Sequence, residues 1–542
     1  MAFTRDQYEA ERRSFRWDIP ENYNIAAVVD AHAREKGDRP CVLWESEAGE
    51  RRVLTWRQLS QLSARFAAVL MRLGVKKGDP VIHLFPRLPE AFIAQIGTFK
   101  AGAVAVPCVD MLRAKDIIYR AETAGARVVV AHVSVAEEVD ATRGQCPLEH
   151  FILMGGKRPG WLSFEEEVEK APEVPPVPLS VHDPITINFT SGTTGNPKPV
   201  MHRHRWLYGH LRVTARYWWE LSPDDLMWAT TAPGWAKWYW SPIGVGLNVG
   251  VTQFIYHGRF EAEKYLELLS RYPITKLCAT PTEYRLMIQV PDLGRFTLKL
   301  RDALSAGEPL NVEPIEVFRE VFGVTIRDGY GQTESVCLVC NPPGLPVKPG
   351  SMGIPTPGPN ATPIDEEGNP VGPGEVGEIA IPVGNPGIFD GYWKDPQLTQ
   401  AVFSEKWYRT GDLVRVDEEG YLFFEGRADD VIKASGYRIG PFEVEDALVS
   451  HPAVVEAAVI GKPHPTRGQI VKAFVVLAKG YPPSEELVKE LQEHVKRVTA
   501  PYKYPREIEF VAELPKTPSG KIKRAELRRL ELERLRAERQ TP

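Results

Sequence analysis

Cysteine is scarce, with six in 542 residues, which is too few for a disulfide scaffold. Neither charge sign dominates, since 66 Lys and Arg oppose 71 Asp and Glu for a net of −5. No global basic excess points to nucleic acid or to an anionic membrane surface. Long apolar runs are also missing. The longest apolar-looking stretch, Pro242–Tyr256, is broken by Asn248, Thr252 and Gln253, whereas a membrane helix needs about 18 or more apolar residues. The N-terminal MAFTRDQYEAERRSF carries Asp6, Glu9 and Glu11 and has no apolar core. It reads as neither a secretory signal nor a transit peptide, so a reducing cytoplasm is expected. No repeat of solenoid length is present. What is abundant is ordinary: 43% hydrophobic and 25% charged residues exclude disorder of the whole chain. At ~100–200 residues per domain the length permits several domain-sized units.

The first third alternates helix and strand signals. Trp56–Leu73 sets Leu59, Leu62, Phe66, Leu70 and Leu73 at helical spacing. Pro80–Phe85, Ala103–Pro107 and Arg127–His132 are short apolar runs of strand length, and Leu88–Ala101 is helical. Such alternation predicts βαβ units around a mostly parallel sheet. The Pro-rich Ala171–Pro184 reads as a strap between subdomains. Asn341–Asn360, rich in Pro and Gly, marks a second crossing. Strands are expected at Gly374–Pro382 and Gly420–Glu425, within a small β-rich subdomain near 350–426. The last stretch reads as a separate domain: a helix at Pro441–Ser450, strands at Val454–Ile460 and Lys472–Leu477, a helix at Ser484–Val498 and a charged terminal helix. The expected fold is therefore α/β and multi-domain. An N-terminal domain over 1–426 holds stacked βαβ-type subdomains and the β-rich one, and a small α+β domain follows over 427–542. From Arg427 onward 21 Lys and Arg face 17 Asp and Glu, or +4, which leaves −9 for the rest. That asymmetry suits a small polyanionic ligand; equally, Lys523–Arg539 reads as a solvated helical face.

Several loops carry chemistry. ITINFTSGTTGNPKP, Ile185–Pro199, leads an apolar strand into Thr190, Ser191, Gly192, Thr193, Thr194 and Gly195, then Lys198. Glycines let backbone N–H groups turn inward around an anion, and the hydroxyls and Lys198 add donors and charge. The spacing is not the Walker pattern, and a Gly/Thr-rich stretch alone also fits a surface loop. RDGYGQTES, Arg327–Ser335, offers an aromatic face at Tyr330, a hydroxyl at Thr333 and a carboxylate at Glu334, the last able to hold Mg²⁺ beside phosphates. SAGEP, Ser305–Pro309, is a small-residue turn suited to close ligand approach. In YRTGD, Tyr408–Asp412, the Asp412 carboxylate can take both hydroxyls of a ribose. GRADD and SGYRIG follow, with Arg427, Asp429, Asp430, Ser435, Gly436, Tyr437 and Arg438. In LPKTPSGKIKR, Lys521 follows a Pro-Ser-Gly turn placed to reach outward.

Taken in order, TSGTTGNPK, YGQTES, YRTGD, GRADD, SGYRIGP and PKTPSGKIKR resemble the AMP-forming adenylating superfamily of acyl- and aryl-CoA synthetases, adenylation domains and luciferases. The resemblance covers essentially the whole length. SGYRIGPFEVEDAL, RGQIVKAFVV and TAPYKYPREIEF are similar to its medium-chain acyl-CoA synthetase branch. The resemblance implies two half-reactions that use ATP, Mg²⁺ and coenzyme A. A carboxylate attacks the α-phosphate and releases pyrophosphate; the thiol of coenzyme A then displaces AMP. It further implies that Thr190 to Lys198 cradle the β- and γ-phosphates. Tyr330, with Asp328, Gly329, Gly331 and Gln332 around it, flanks the adenine, and Gly307, Glu308 and Pro309 its other side. Thr333 touches the α-phosphate and Glu334 binds Mg²⁺. Asp412 holds the ribose with Arg427 nearby, and Arg438 contacts the adenylate. Lys521 bridges the carboxylate and the α-phosphate, so Lys521, Glu334 and Thr333 form the catalytic set. The small C-terminal domain is implied to be mobile about a hinge at Asp429, exchanging Lys521 for the turn Ser435, Gly436 and Tyr437, which passes pantetheine. Arg467 and Tyr502, Lys503 and Tyr504 are carried over for the nucleotide of coenzyme A.

Acetate-specific relatives carry a Trp after the tyrosine; Gly331 stands here, so an open pocket and a longer acid are expected. TAPGWAKWYWSP, Thr231–Pro242, is dense in aromatics, Trp235, Trp238, Tyr239 and Trp240, and reads as lining the acyl pocket, with an ordinary aromatic core as the other reading. Lys237 reads as an exposed loop lysine or as a contact for the carboxylate. Cys337 and Cys340 form a lone C-x-x-C with no second pair at zinc spacing, and read as packed thiols beside the acyl pocket. His202 and His204 lack ligand partners at metal spacing and read as structural, with His202 near the acyl pocket. The alternatives are an aryl- or branched-acid ligase, a module loading a carrier protein, and a non-catalytic nucleotide-binding scaffold. Neither a nucleic acid nor a membrane is expected as partner, and the oligomeric state is left open.

Overall fold

The structure, a computed structural model, describes residues 3–190, 196–428, 430–434, 437–464, 467–516 and 521–540. They pack into two compact units. One holds Met1–Thr190, Pro197–Ala361 and Ile381–Tyr408; the other includes Thr362–Ala380 and Arg409–Pro542.

The first unit is built on two large sheets. One runs Gly391–Tyr392, Lys198–Arg203, Pro184–Thr190, Val104–Cys108, Pro80–Leu84, Val128–His132, His150–Met154 and Leu162–Ser163. From Pro184–Thr190 to Leu162–Ser163 neighbouring strands are parallel, while Lys198–Arg203 folds back as an antiparallel hairpin partner. The other runs Ile354–Pro355, Val339–Cys340, Ile326–Tyr330, Asp302–Ala306, Lys276–Ala279, Leu226–Ala229, Thr252–His257, Pro40–Ser46 and Arg51–Thr55. Its middle is parallel and both edges are antiparallel. The expected alternation is thus seen: Val, Ile and Ala runs buried on both faces form parallel strands, and helices cover them. Trp56–Arg72 is one such helix. Thr55 and Gln58 form its capping box, and Leu59, Phe66 and Leu70 face the core.

Two helical stretches were not foreseen in the sequence. His210–Trp219 and Tyr239–Leu247 are wound with the wider π spacing. The end of the apolar-looking run enters the strand Thr252–His257 instead. Pro242 lies inside the second π stretch, where α-helical bonding would lack its N–H. Wide turns of this kind cluster at functional sites. No described helix is long and apolar enough to cross a membrane.

The second unit has a four-stranded sheet of Thr362–Ile364, Val376–Pro382, Trp407–Val416 and Leu422–Arg427. Strict in–out alternation along Trp407–Val416 marks a half-buried strand. Its other sheet pairs Tyr437–Ile439, Ile432–Ala434, Gly468–Leu477 and Val454–His464, with Glu507–Phe510 parallel to Gly468–Leu477. The helix Glu485–Val498 buries Leu487, Leu491 and Val495 against this sheet.

Candidate active site

Parallel strands present ligands at their C-terminal ends. Those ends carry Thr190, Ala279, Ala306 and Tyr330, and all but Ala279 enter a loop that the sequence singled out. Ser191 to Gly195 lie outside the described residues, but the stem of their loop is defined: Thr190 pairs with Lys198 in the antiparallel register. Ala306 passes into Gly307, whose φ of +107° is left-handed and whose missing Cβ would meet open space. That conformation favours glycine. Glu308 is bound internally, accepting from Thr282 Oγ1 at 2.8 Å with Arg285 at 3.5 Å; Pro309 follows it.

The segment Asp328–Ser335 is held at almost every residue. Asp328 is buried and accepts from the Gly329 N–H at 3.0 Å. Burial pushes its carboxyl well above the usual range, with Lys237 pulling the other way. Tyr330 ends its strand opposite Val339. Gln332 receives Tyr408 Oη at 2.7 Å on Oε1 and donates its backbone N–H to Ser335 Oγ at 3.0 Å. The Thr333 carbonyl accepts from His202 Nε2 at 2.6 Å, and the Glu334 carbonyl accepts from Phe389 N at 2.8 Å. Glu334 is buried, and its Oε1 accepts from Tyr392 Oη at 3.0 Å. Lys198 Nζ stands 5.6 Å from the centre of the same tyrosine ring. Among the described residues no group of three or more His, Cys, Asp or Glu is placed to hold a metal. A single buried carboxylate nevertheless suits Mg²⁺, which is taken through one or two carboxylates and substrate phosphates.

Gly331 and Gly329 each make room for an indole. A Cβ at Gly331 would lie 2.1 Å from Trp240 Cη2, and one at Gly329 would lie 2.5 Å from Trp218. The space at Gly331 is thus occupied by Trp240, which in turn meets His210 and Trp218 at ring-centre distances of 5.5 and 6.2 Å. The two π stretches supply all three rings. Trp235 is partly buried and packs against the hydrophobic core of the parallel sheet. Trp238 and Tyr239 are tied to Gln95 at 2.8 and 2.7 Å. The Lys237 reading needs correction, because the side chain is half-buried and Nζ donates to the Ala306 carbonyl at 3.0 Å. Strand-end carbonyls with no ladder partner draw the ammonium inward. Cys337 and Cys340 are fully buried, each thiol directed at a backbone carbonyl at 3.4 Å. His202 is fully buried and stacked on Trp206 at 3.6 Å, and burial pushes its ring down to about 3. His204 is buried edge-on to Phe99.

In the second unit Asp412 and Arg427 face each other across adjoining strands. Arg427 donates to Asp412 Oδ1 at 3.1 Å and to the Thr410 carbonyl at 3.0 Å. Gly411, at φ +75°, leaves space that the guanidinium fills, since a Cβ would lie 2.7 Å from it. Lys521 is exposed. Beside it, Ile522 bridges Lys516 and Lys523 N donates to the Pro515 carbonyl at 2.8 Å. Arg524 then forks onto buried Glu445 at 2.9 and 2.5 Å, and Arg528 pairs with buried Asp430. Asp429, Ser435 and Gly436 lie outside the described residues. Tyr437 and Arg438 begin the strand Tyr437–Ile439, opposite Ala434 and Lys433. Arg467 is exposed just before Gly468–Leu477. Tyr502 is 40% exposed, Lys503 is committed to Glu443 at 2.5 Å, and Tyr504 lies under Lys496 and Arg506.

The sequence reading named Trp240 only as an acyl-pocket candidate, missed Tyr392, Trp218 and His210 as neighbours of the motif, and gave His202 no part in holding it. For His202 a signal existed: it is an inward-facing polar residue in a strand directly after the Gly/Thr loop. Tyr392 carried none, lying in an unremarkable GYWKD stretch.

Comparison with known proteins follows the same lines. A family described as AMP-binding enzyme matches residues 29–393, and the AMP-binding enzyme C-terminal domain matches residues 443–521. An uncharacterized acyl–CoA ligase of Bacillus subtilis, YtcI, is 47% identical over 511 residues, covering 94% of this chain and 96% of its own. The mitochondrial acyl-coenzyme A synthetase ACSM3 of Homo sapiens is 41% identical over 537 residues, covering 96% and 92%. The crystal structure of the anthranilate CoA ligase AuaEII with anthranoyl-AMP superposes with a TM-score of 0.87 at 31% identity, covering 96% of this chain and 99% of that one.

Proposed function

Because the chain belongs to the AMP-binding enzyme family and is an AMP-forming acyl-CoA ligase, we propose that its acid is of medium chain length. The observation that carries this reading is the wall beside Gly331, built of Trp240, Trp218 and His210. An aromatic wall without a formal charge favours an apolar acyl group. Each buried CH₂ adds roughly 0.8 kcal/mol, so acetate makes a poor substrate. A ring also stacks on such a wall, and the likeness to an anthranilate CoA ligase favours an aryl acid as the second reading.

Chemically, the carboxylate oxygen attacks the α-phosphorus of ATP and pyrophosphate leaves. The sulfur of coenzyme A then attacks the acyl carbon and AMP leaves. The acid is ionised at neutral pH, since carboxyl groups titrate near about 4, so the first step needs charge stabilisation and alignment rather than a base. We assign Thr190 to Lys198 to the β- and γ-phosphates, Tyr330 and the Gly307–Pro309 turn to the adenine, and Thr333 to the α-phosphate. Asp412, set by Arg427, takes the ribose, and Lys521 the developing charge. Mg²⁺ would be held by Glu334 with phosphate oxygens, where it offsets their negative charge. Ser435, Gly436 and Tyr437, with Arg467 and Tyr502 to Tyr504, are assigned to coenzyme A, and Arg438 to the adenylate. The functional division is 1–426 and 427–542 about Asp429. A cytoplasmic setting accords with six unpaired cysteines. The test is AMP release, with and without coenzyme A, over straight-chain acids from acetate to dodecanoate, plus benzoate and anthranilate. The expected maximum lies among the middle straight chains, and a maximum on acetate rejects the reading.

A further inference from the structure

We propose that His202 is a positioning residue for adenylate formation: it donates its Nε2–H to the Thr333 carbonyl and so fixes the peptide that carries Thr333 and Glu334. The inference rests on the reading that these two residues face the α-phosphate and its metal.

The reason lies in the backbone. Residues 331–338 form no regular strand or helix, so their carbonyls have no ladder partners, and buried carbonyls need donors. Several are met by backbone or side-chain donors. Gln332 O is met within the turn by Ser335 N at 3.1 Å, and Glu334 O by Phe389 N at 2.8 Å. The Cys337 carbonyl is met by Thr356 Oγ1 at 2.7 Å, and the Thr333 carbonyl by the ring of His202, from Nε2 at 2.6 Å. A carbonyl accepts and never donates, so this ring nitrogen carries the hydrogen, and the uncharged ring is the Nε2–H tautomer. Nδ1 is buried without a partner, which is consistent with that tautomer. The ring cannot tilt: it lies 3.6 Å from Trp206 at an interplanar angle of 6°, with no exposed surface. Its backbone is held too, since His202 pairs with Thr186 across the hairpin whose tip is the Gly/Thr loop. One side chain therefore sets the Thr333–Glu334 peptide relative to the stem of the phosphate loop.

The test compares His202→Leu, which keeps bulk and loses the donor, with His202→Gln, whose amide can donate from nearly the Nε2 position. In acid-dependent ATP–pyrophosphate exchange His202→Leu is expected to lose roughly tenfold in kcat, with KM for ATP and acid within about twofold, and His202→Gln to recover most of the loss. Equal losses in both variants, accompanied by equal drops in Tm, assign the ring to packing alone and overturn the proposal. Unchanged kcat in His202→Leu does the same. Protein labelled with ¹⁵N only at histidine gives a second readout, independent of turnover. A downfield Nε2–H resonance absent from His202→Gln supports the proposal, and an Nδ1–H tautomer at His202 sinks it. Wild-type protein that exchanges pyrophosphate with no acid would defeat the parent reading instead, and the ring-proton spectrum would still decide the hydrogen bond.

Discussion

Tyr392 donates its hydroxyl to Glu334 Oε1 at 3.0 Å while Lys198 stands 5.6 Å from the centre of its ring. One phenol thus joins the carboxylate of the Y-G-Q-T-E motif to the lysine closing the Gly/Thr loop. Hydrogen bonds to charged groups contribute about 1.5–3 kcal/mol. Tyr392→Phe is therefore expected to slow pyrophosphate exchange by at least about tenfold, leaving thioester formation from supplied acyl-adenylate close to wild type. Stopped-flow measurement of the two half-reactions checks this, and an equal effect on both removes Tyr392 from the first step.

Lys521→Ala should abolish adenylate formation and spare the transfer of supplied acyl-adenylate to coenzyme A. Loss of a transition-state charge contact costs ~10²–10³ in rate. Single-turnover assays of each step decide the matter, and parallel losses refute the division of labour.

Arg524→Met tests whether the base of the Lys521 loop is built for rigidity. Removing the fork strands Glu445, whose burial already raises its carboxyl despite Arg524. Breaking such a buried pair costs roughly 3–5 kcal/mol. Faster hydrogen exchange is expected in Pro441–Val449, with most protection returning in Arg524→Met/Glu445→Gln. Unaltered exchange in the single variant would show the pair to be dispensable.

His83, His202 and His204 are pushed by burial down to about 3, about 3 and about 4, and His210 well below its usual value. In each case the unfolded ring binds its proton first as pH falls through about 6.5. The unfolded state then holds more protons than the native state, so stability declines as pH drops from about 6.5 toward 4. Each ring contributes up to about 1.4 kcal/mol per pH unit. Urea midpoints measured from pH 7.5 to 4.5 should fall ever more steeply below pH 6. His83→Gln should flatten the slope by close to one ring's share, and a level profile would contradict the buried neutral state.

Trp240→Ala opens the space beside Gly331. It should cost about 3–5 kcal/mol in stability and move the preferred acid to longer chains. Each added CH₂ is worth roughly 0.8 kcal/mol, or nearly fourfold in kcat/KM. A chain-length profile identical to wild type would place the acyl group elsewhere.

Much of this was legible in the sequence because it is local. Apolar runs of strand length became parallel strands, and capping residues such as Thr55 and Ser484 sit where the helices begin. The Gly/Thr loop, Y-G-Q-T-E and Y-R-T-G-D stand out through their order along the chain, each being weak by itself. What was not legible depends on partners distant in the chain. Gly331 suggested an empty pocket because nothing in its neighbourhood reveals that Trp240 enters the space. Lys237 looked solvated because the carbonyl it binds belongs to Ala306, on another strand. Wide helical winding at His210–Trp219 and Tyr239–Leu247 leaves no mark in an apolar periodicity that also fits an α-helix or a strand.

The contact between residues 331 and 240 also constrains how such an enzyme changes its diet. One volume is shared by two codons, so neither can be enlarged alone without collision. A side chain at 331 would meet both the indole at 240 and the Val336 carbonyl, so shrinking the indole is a necessary first step, and that step exposes a void. Swapping acids by stepwise mutation must therefore cross an unstable intermediate or change both positions together.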